Sequence, residues 1–196
     1  MPVETMLKQQ FVDIKSNKAL QFFSEILLTF IKKGLDKGYK SVVFVCIGTD
    51  RSTGDSLGPL VGYKLQNNSC NNFYFHGTLK NPVHAKNLAV TLKLIETKYE
   101  KPYVVAIDAC LGQTDHVGYI SIGEGSIKPG AGVNKELPPV GNMFITGIVN
   151  YGGFMDFLVL QNTRLCMVMD MADIISDGIK HVMWKLRYMM QNTKQT

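Results

Sequence analysis

No stretch of this 196-residue chain approaches the ~18 consecutive apolar residues that a membrane-spanning helix needs. The first twenty residues, MPVETMLKQQFVDIKSNKAL, hold no apolar core of a secretory leader. Cysteine is scarce: Cys46, Cys70, Cys110 and Cys166 form no C-x-x-C and have no histidine beside them at metal-ligand spacing. Three of the four lie inside or at the end of apolar runs that read as buried strands, where a free thiol behaves as a small hydrophobe. A reducing, cytoplasmic setting without a membrane anchor is therefore expected. Clustered charge is missing too. The 21 basic and 16 acidic residues give a net charge of +5, yet no basic block exceeds Lys32-Lys33. A dedicated nucleic-acid surface would need a stripe of Lys and Arg, so none is expected.

What is present is a chain with 45% hydrophobic and 19% charged residues, enough to bury a sizeable core. No Pro/Gly/Ser-rich linker divides it, and one domain over residues 1–196 is expected, with residues 1–17 as a polar lead-in. Leu20, Phe23, Ile26, Leu27, Phe30 and Ile31 recur at helical spacing, which predicts an amphipathic helix over 18–37 ending near Gly34 or Gly38. Ser41 to Ile47 (SVVFVCI) is a nearly unbroken β-branched run, the pattern of a strand covered on both faces. A polar loop then leads to a short helix reaching about Gln66, with Asp55 near its start. A second strand is predicted over 72–76, a helix over 83–99, and a strand over 103–110 that is apolar except for Asp108 near its end. A further strand at 119–122 and a Gly/Pro-rich connection at 123–139 precede a helix at 151–161, a buried strand at 165–169 and a closing helix at 172–190 with Trp184. Strands alternating with helices imply a three-layer αβα sandwich around a mostly parallel sheet.

Ligands of such sheets bind beyond the carboxyl ends of the strands, which directs attention to the loops leaving Ile47 and Ile107. Asp108 is a carboxylate in an apolar strand, costly unless something compensates it. Asp55 has an ordinary alternative, an N-cap at a helix start, and Asp108 has one as a strand-end residue bonded to a loop amide. Two adjacent βα units would nevertheless bring both carboxylates to one sheet edge. Paired carboxylates at short range resist joint ionisation, so one holds a proton while the other activates water. That is amide hydrolysis without a covalent intermediate. The same pair is also able to hold a divalent metal. The loop residues Thr49, Asp50, Arg51 and Ser52, with Ser56, are the expected substrate contacts, and Asp50 and Asp115 are reserve carboxylates in the two loops.

Residues 47–62 (IGTDRSTGDSLGPLVG), 106–109 (AIDA), 128–141 (KPGAGVNKELPPVG) and 145–150 (ITGIVN) together resemble the YyaC sporulation proteins of endospore-forming bacteria. The resemblance covers most of the chain from about residue 40 onward. These proteins look like relatives of the germination protease that degrades small acid-soluble spore proteins, and more distantly of HybD-type hydrogenase maturation peptidases, which share a phosphorylase/hydrolase-like α/β fold. The protease pattern, a catalytic aspartate in a D-x-L-G-P segment and a second in I-D-A, falls on Asp55 and Asp108. In the hydrogenase peptidases the corresponding acidic positions bind nickel with a histidine from a later loop; the matching region, 143–154, has no histidine. The resemblance thus implies a two-aspartate peptidase without cofactor or metal, acting on protein or peptide in a spore or forespore compartment, with self-association left open. A non-catalytic binding or regulatory protein of sporulation or germination on the same fold is the alternative.

Two other readings compete. Gly54-Asp55-Ser56-Leu57 spells the GDSL hydrolase motif, which would make Ser56 a nucleophile, but the first strand ends six residues earlier and Asp177 with His181 has the wrong spacing for the remaining triad. No G-x-G-x-x-G follows the first strand, so a dinucleotide fold lacks its fingerprint. His76, His84, His116 and His181 are dispersed and read as surface or packing residues.

Overall fold

In a computed structural model, which describes residues 9–68, 72–130 and 137–192, the apolar run at Ser41 becomes β2 (Ser41–Cys46), buried at every position. Its side chains alternate between two cores. Val42, Phe44 and Cys46 face one, and Val43, Val45 and the following Ile47 face the other, which is why β-branched residues occur at consecutive positions. β4 (Pro102–Gly112) pairs with β2 in parallel register, Ser41 opposite Pro102 through Cys46 opposite Ile107. β3 (Phe73–His76) lies parallel on the far side of β2, where Phe44 stacks on Phe75 at 5.2 Å between ring centres.

β6 (Met143–Tyr151) runs parallel to β4 on its other flank. β5 (Tyr119–Glu124) is antiparallel to β6, and β1 (Gln9–Asp13) is antiparallel to β5. The six-stranded order is β1-β5-β6-β4-β2-β3. The sheet is mostly parallel, as the alternation of strands and helices predicts.

One face is covered by α1 (Ala19–Asp36), α2 (Leu57–Leu65) and α5 (Leu165–Asn192), the other by α3 (Leu88–Lys98) and the strand-like segment around Ile127 and Val140. The short α4 (Asp156–Gln161) follows β6. These layers form the expected three-layer αβα sandwich.

Several sequence expectations are corrected. Residues 9–13, placed in the polar lead-in, form β1: a strand at a sheet edge needs only one buried residue, here Val12, and the pattern is weak. Residues 143–151, for which no strand was predicted, form the central β6. Residues 165–169 are the first turn of α5 rather than a strand. Val168, Met171, Ala172 and Ile175 are buried at three- and four-residue intervals, and Cys166 is exposed instead of buried. The helix predicted from 83 begins only at Leu88, because Val83 pairs with Ile47 as an isolated parallel bridge and its carbonyl accepts the Gly48 amide at 2.8 Å. The helix expected over 151–161 is confined to 156–161. Among the described residues no helix is long and apolar enough to cross a membrane.

Candidate functional site

The chain leaves β2 for β3 on one side and returns through α3 to β4 on the other, so β2 and β4 diverge in their onward connections. That is a topological switch point, where open α/β sheets form crevices. A cavity of about 470 Å³ opens there, and its lining includes Ile47, Thr49, Arg51, Asp55 and Asp108.

The first carboxylate is set by glycine. Gly48 turns the chain out of the sheet at φ +137, and a side chain there would run into the Asp55 carbonyl. That carbonyl accepts the Thr49 amide at 3.0 Å, which closes loop 49–55 back on the strand end. A 3-10 turn, Gly54–Ser56, leads directly into α2. Neither this turn nor α2 has a side-chain cap, so Asp55 is not the N-cap that its position suggests. Gly58 lets α2 lie against Ile47; a Cβ there would strike the Ile47 backbone. The D-S-L-G-P segment is thus a device that presses a helix onto the strand end and leaves Asp55 at the cavity.

Asp108 lies within β4 rather than at its end, as four more strand residues follow. Strand alternation puts it on the α3 side of the sheet, with Ala106. It is 6% exposed, and its Oδ1 accepts the Ala109 amide at 2.9 Å. Burial pushes its carboxyl well above the usual carboxylate range, and the negative charge of nearby Asp55 pushes it further, while the Ala109 amide works in the opposite sense. Asp55 is also raised by burial, to about 6, against a hydrogen bond from the Thr49 backbone. The two carboxylates therefore share an environment and interact. The pair resists joint ionisation, with the more deeply buried Asp108 favoured as the carrier of a proton.

Thr49, Asp50, Arg51 and Ser52 line the same cavity. Ser52 is buried, and among the described residues its hydroxyl has no hydrogen-bond partner, which leaves a polar atom beside the cavity. Ser56 is not brought to the cavity: it is buried, and its hydroxyl donates to the Thr53 carbonyl at 2.6 Å. The GDSL arrangement is absent in space as well, since Asp177 pairs with Lys180 at 3.0 Å and His181 is exposed on α5. Asp115 is exposed in a 3-10 turn away from the cavity.

His84, Lys86, Cys110, Leu111 and Phe157 also line the cavity, though sequence reasoning gave them no role. His84 Nδ1 accepts the Lys86 amide at 3.3 Å, which leaves Nε2 as its protonated nitrogen when neutral. Its signal was hidden in the Val83 bridge. Cys110 was legible, two residues beyond Asp108 and hence on the same face of the strand. Its thiol is raised by burial, opposed by a hydrogen bond with Thr146 and reinforced by the Asp108 charge. Among the described residues no three His, Cys, Asp or Glu side chains gather in a way that holds a metal ion.

Comparison with known proteins places this geometry in a family. The chain is 48% identical to the uncharacterized protein YyaC of Bacillus subtilis (strain 168) over 171 residues, which covers 87% of this chain and 82% of that protein. The family described as "Protein of unknown function (DUF1256)" matches residues 11–178, from β1 into α5, so both carboxylates and the whole sheet fall within it. By both criteria, the chain belongs to the DUF1256 family.

Proposed function

We propose that this chain is a peptidase that hydrolyses amide bonds with the Asp55–Asp108 pair. The observation that carries the reading is the meeting of two carboxyls with raised proton affinity on one cavity at a sheet switch point. Asp55, the less buried partner, is the base that takes a proton from water. Asp108, protonated, donates a hydrogen bond to the amide carbonyl and polarises it. Attack of water on the carbonyl carbon gives a tetrahedral intermediate, the proton held by Asp55 passes to the leaving nitrogen, and the C–N bond breaks. Ser52, Thr49 and Arg51 contact the substrate around this centre, and no covalent enzyme intermediate forms. The sequence resemblance to germination protease supports the same assignment and points to small acid-soluble spore proteins as substrates, met in the spore or forespore.

A second reading has its own support. Tyr151, Phe154, Met155, Phe157 and Leu158 are all exposed, with Phe154 at 90%, an apolar surface of the kind that binds protein partners. A binding protein of sporulation would use that surface without turnover. The two separate in one assay. Purified protein is incubated with spore proteins and peptides, and release of new amino termini is followed. Turnover lost in both Asp55→Asn and Asp108→Asn supports the peptidase; stable association with no new termini supports the binding protein.

A further inference from the structure

β4 outruns its neighbour. β2 pairs with it only as far as Cys46 opposite Ile107, and the chain then swings away at Gly48, while β4 continues from Asp108 to Gly112 with only β6 beside it. Among the described residues no strand covers the other edge of this extension. The backbone hydrogen bonds fix which groups that edge presents. The carbonyls of Val104 and Gly112 accept from Asn142 and Gly152 on the β6 side, and the Ile107 carbonyl accepts from Ile47 on the β2 side. Backbone groups of alternate residues point to alternate sides of a parallel strand, so Ala109 and Leu111 direct theirs toward the side that β2 has vacated. The Ala109 amide is taken by Asp108 Oδ1. By the same alternation the Ala109 carbonyl and the Leu111 amide and carbonyl point to the vacated side, and Asp108 to Leu111 all line the cavity.

We propose that this edge is the substrate-docking strand: an extended peptide adds to β4 beside Asp108–Gly112 and is held there by main-chain hydrogen bonds to Ala109 and Leu111. The proposal rests on the peptidase reading and supplies its substrate class, an unfolded segment rather than a folded surface. A strand laid on this edge passes directly beside Asp108, whose carboxyl is fastened to the same strand, and so brings a peptide carbonyl to the acid. Side chains of an added strand alternate between its two faces. Leu79, Leu137, Phe157 and Leu160 line the cavity around the edge, so apolar side chains are preferred next to the cleaved bond.

The test uses a mixed library of unstructured decapeptides. The peptide that the wild type cleaves fastest is remade with a single N-methyl group at each amide in turn, and its binding to the Asp55→Asn protein is measured by fluorescence polarisation. Methylation at alternate amides is expected to weaken binding about tenfold, with little effect between them, because only every second amide faces the strand. Leu111→Pro, which deletes the N–H facing the vacated side and spares the bonds to β6, is expected to weaken binding similarly, with Leu111→Ala as the packing control. Sensitivity to methylation without alternation, or at no position, overturns strand addition even if Leu111→Pro fails to fold, and leaves the peptidase intact. Absence of any cleaved peptide overturns the peptidase reading and this proposal together.

Discussion

At the scale of single residues, the account turns on two carboxyls that the fold keeps where they are destabilising. Both are raised above the ordinary carboxylate range by burial, Asp55 to about 6. A carboxyl with a raised folded-state pKa binds more protons folded than unfolded, so its stabilising effect is greatest in acid and is lost as pH rises from the unfolded value toward the folded one. For Asp55 the loss falls between 3.8 and about 6, and for Asp108 it begins at 3.8 and runs well above it. Denaturant unfolding is therefore expected to show wild-type stability falling across this range. Asp108→Asn should flatten the fall and raise stability at neutral pH by roughly 1–3 kcal/mol, since the amide keeps an acceptor for Ala109 and removes the cost of holding a buried carboxyl protonated where the unfolded chain ionises it. A loss of stability at neutral pH would instead mark Asp108 as a structural anchor. The same pair sets a pH profile for turnover. Asp55 must be ionised and Asp108 protonated, so kcat/KM should be bell-shaped, with its acid limb near pH 6. An activity that keeps rising as pH falls below that limb would contradict these roles.

At the scale of elements, the Gly-rich loop and its helix act as one unit, and Gly58 is its most demanding position. Gly58→Ala forces a methyl group into the Ile47 backbone and should destabilise the fold by about 1–3 kcal/mol or more, with a larger proportional loss of activity because the shift reaches Asp55 first. Thermal melts and turnover on the same sample check both; an unperturbed melt would show that α2 does not press on the strand end. The sequence made this unit readable because β2 is covered on both faces and so consists of uninterrupted β-branched residues, and because Asp108 is conspicuous in an apolar strand. β6 was less readable. Thr146 and Gly147 interrupt its apolar run; a side chain at Gly147 would collide with Leu57 and Met171, so the glycine there reflects close packing rather than a turn. The start of α5 misled for the opposite reason, since LCMVM is apolar at consecutive positions and only its burial at three- and four-residue intervals reveals a helix. His84 reads as a surface or packing residue in the sequence because its place at the cavity depends on a single long-range bridge, Ile47 with Val83, which no local pattern encodes.

At the scale of the whole molecule, the strand order assembles the candidate site from parts far apart in the chain. Loop 49–55, the end of β4, residues 79–86 and α4 converge on one cavity only because β2 and β4 are neighbours while the chain between them detours through β3 and α3. The motifs around Asp55 and Asp108 are legible one at a time; that both residues line one cavity follows from the sheet order, which places β2 beside β4. The apolar surface following β6 belongs to the same end of the molecule, which links the peptidase and binding readings to one location. The most direct test compares cleavage of unfolded spore proteins by wild type, Asp55→Asn and Asp108→Asn, each with and without a chelator. The account predicts cleavage by wild type that is unaffected by chelator and falls at least about a hundredfold in either variant; folded wild type that cleaves nothing, or variants that cleave as well as wild type, would contradict it.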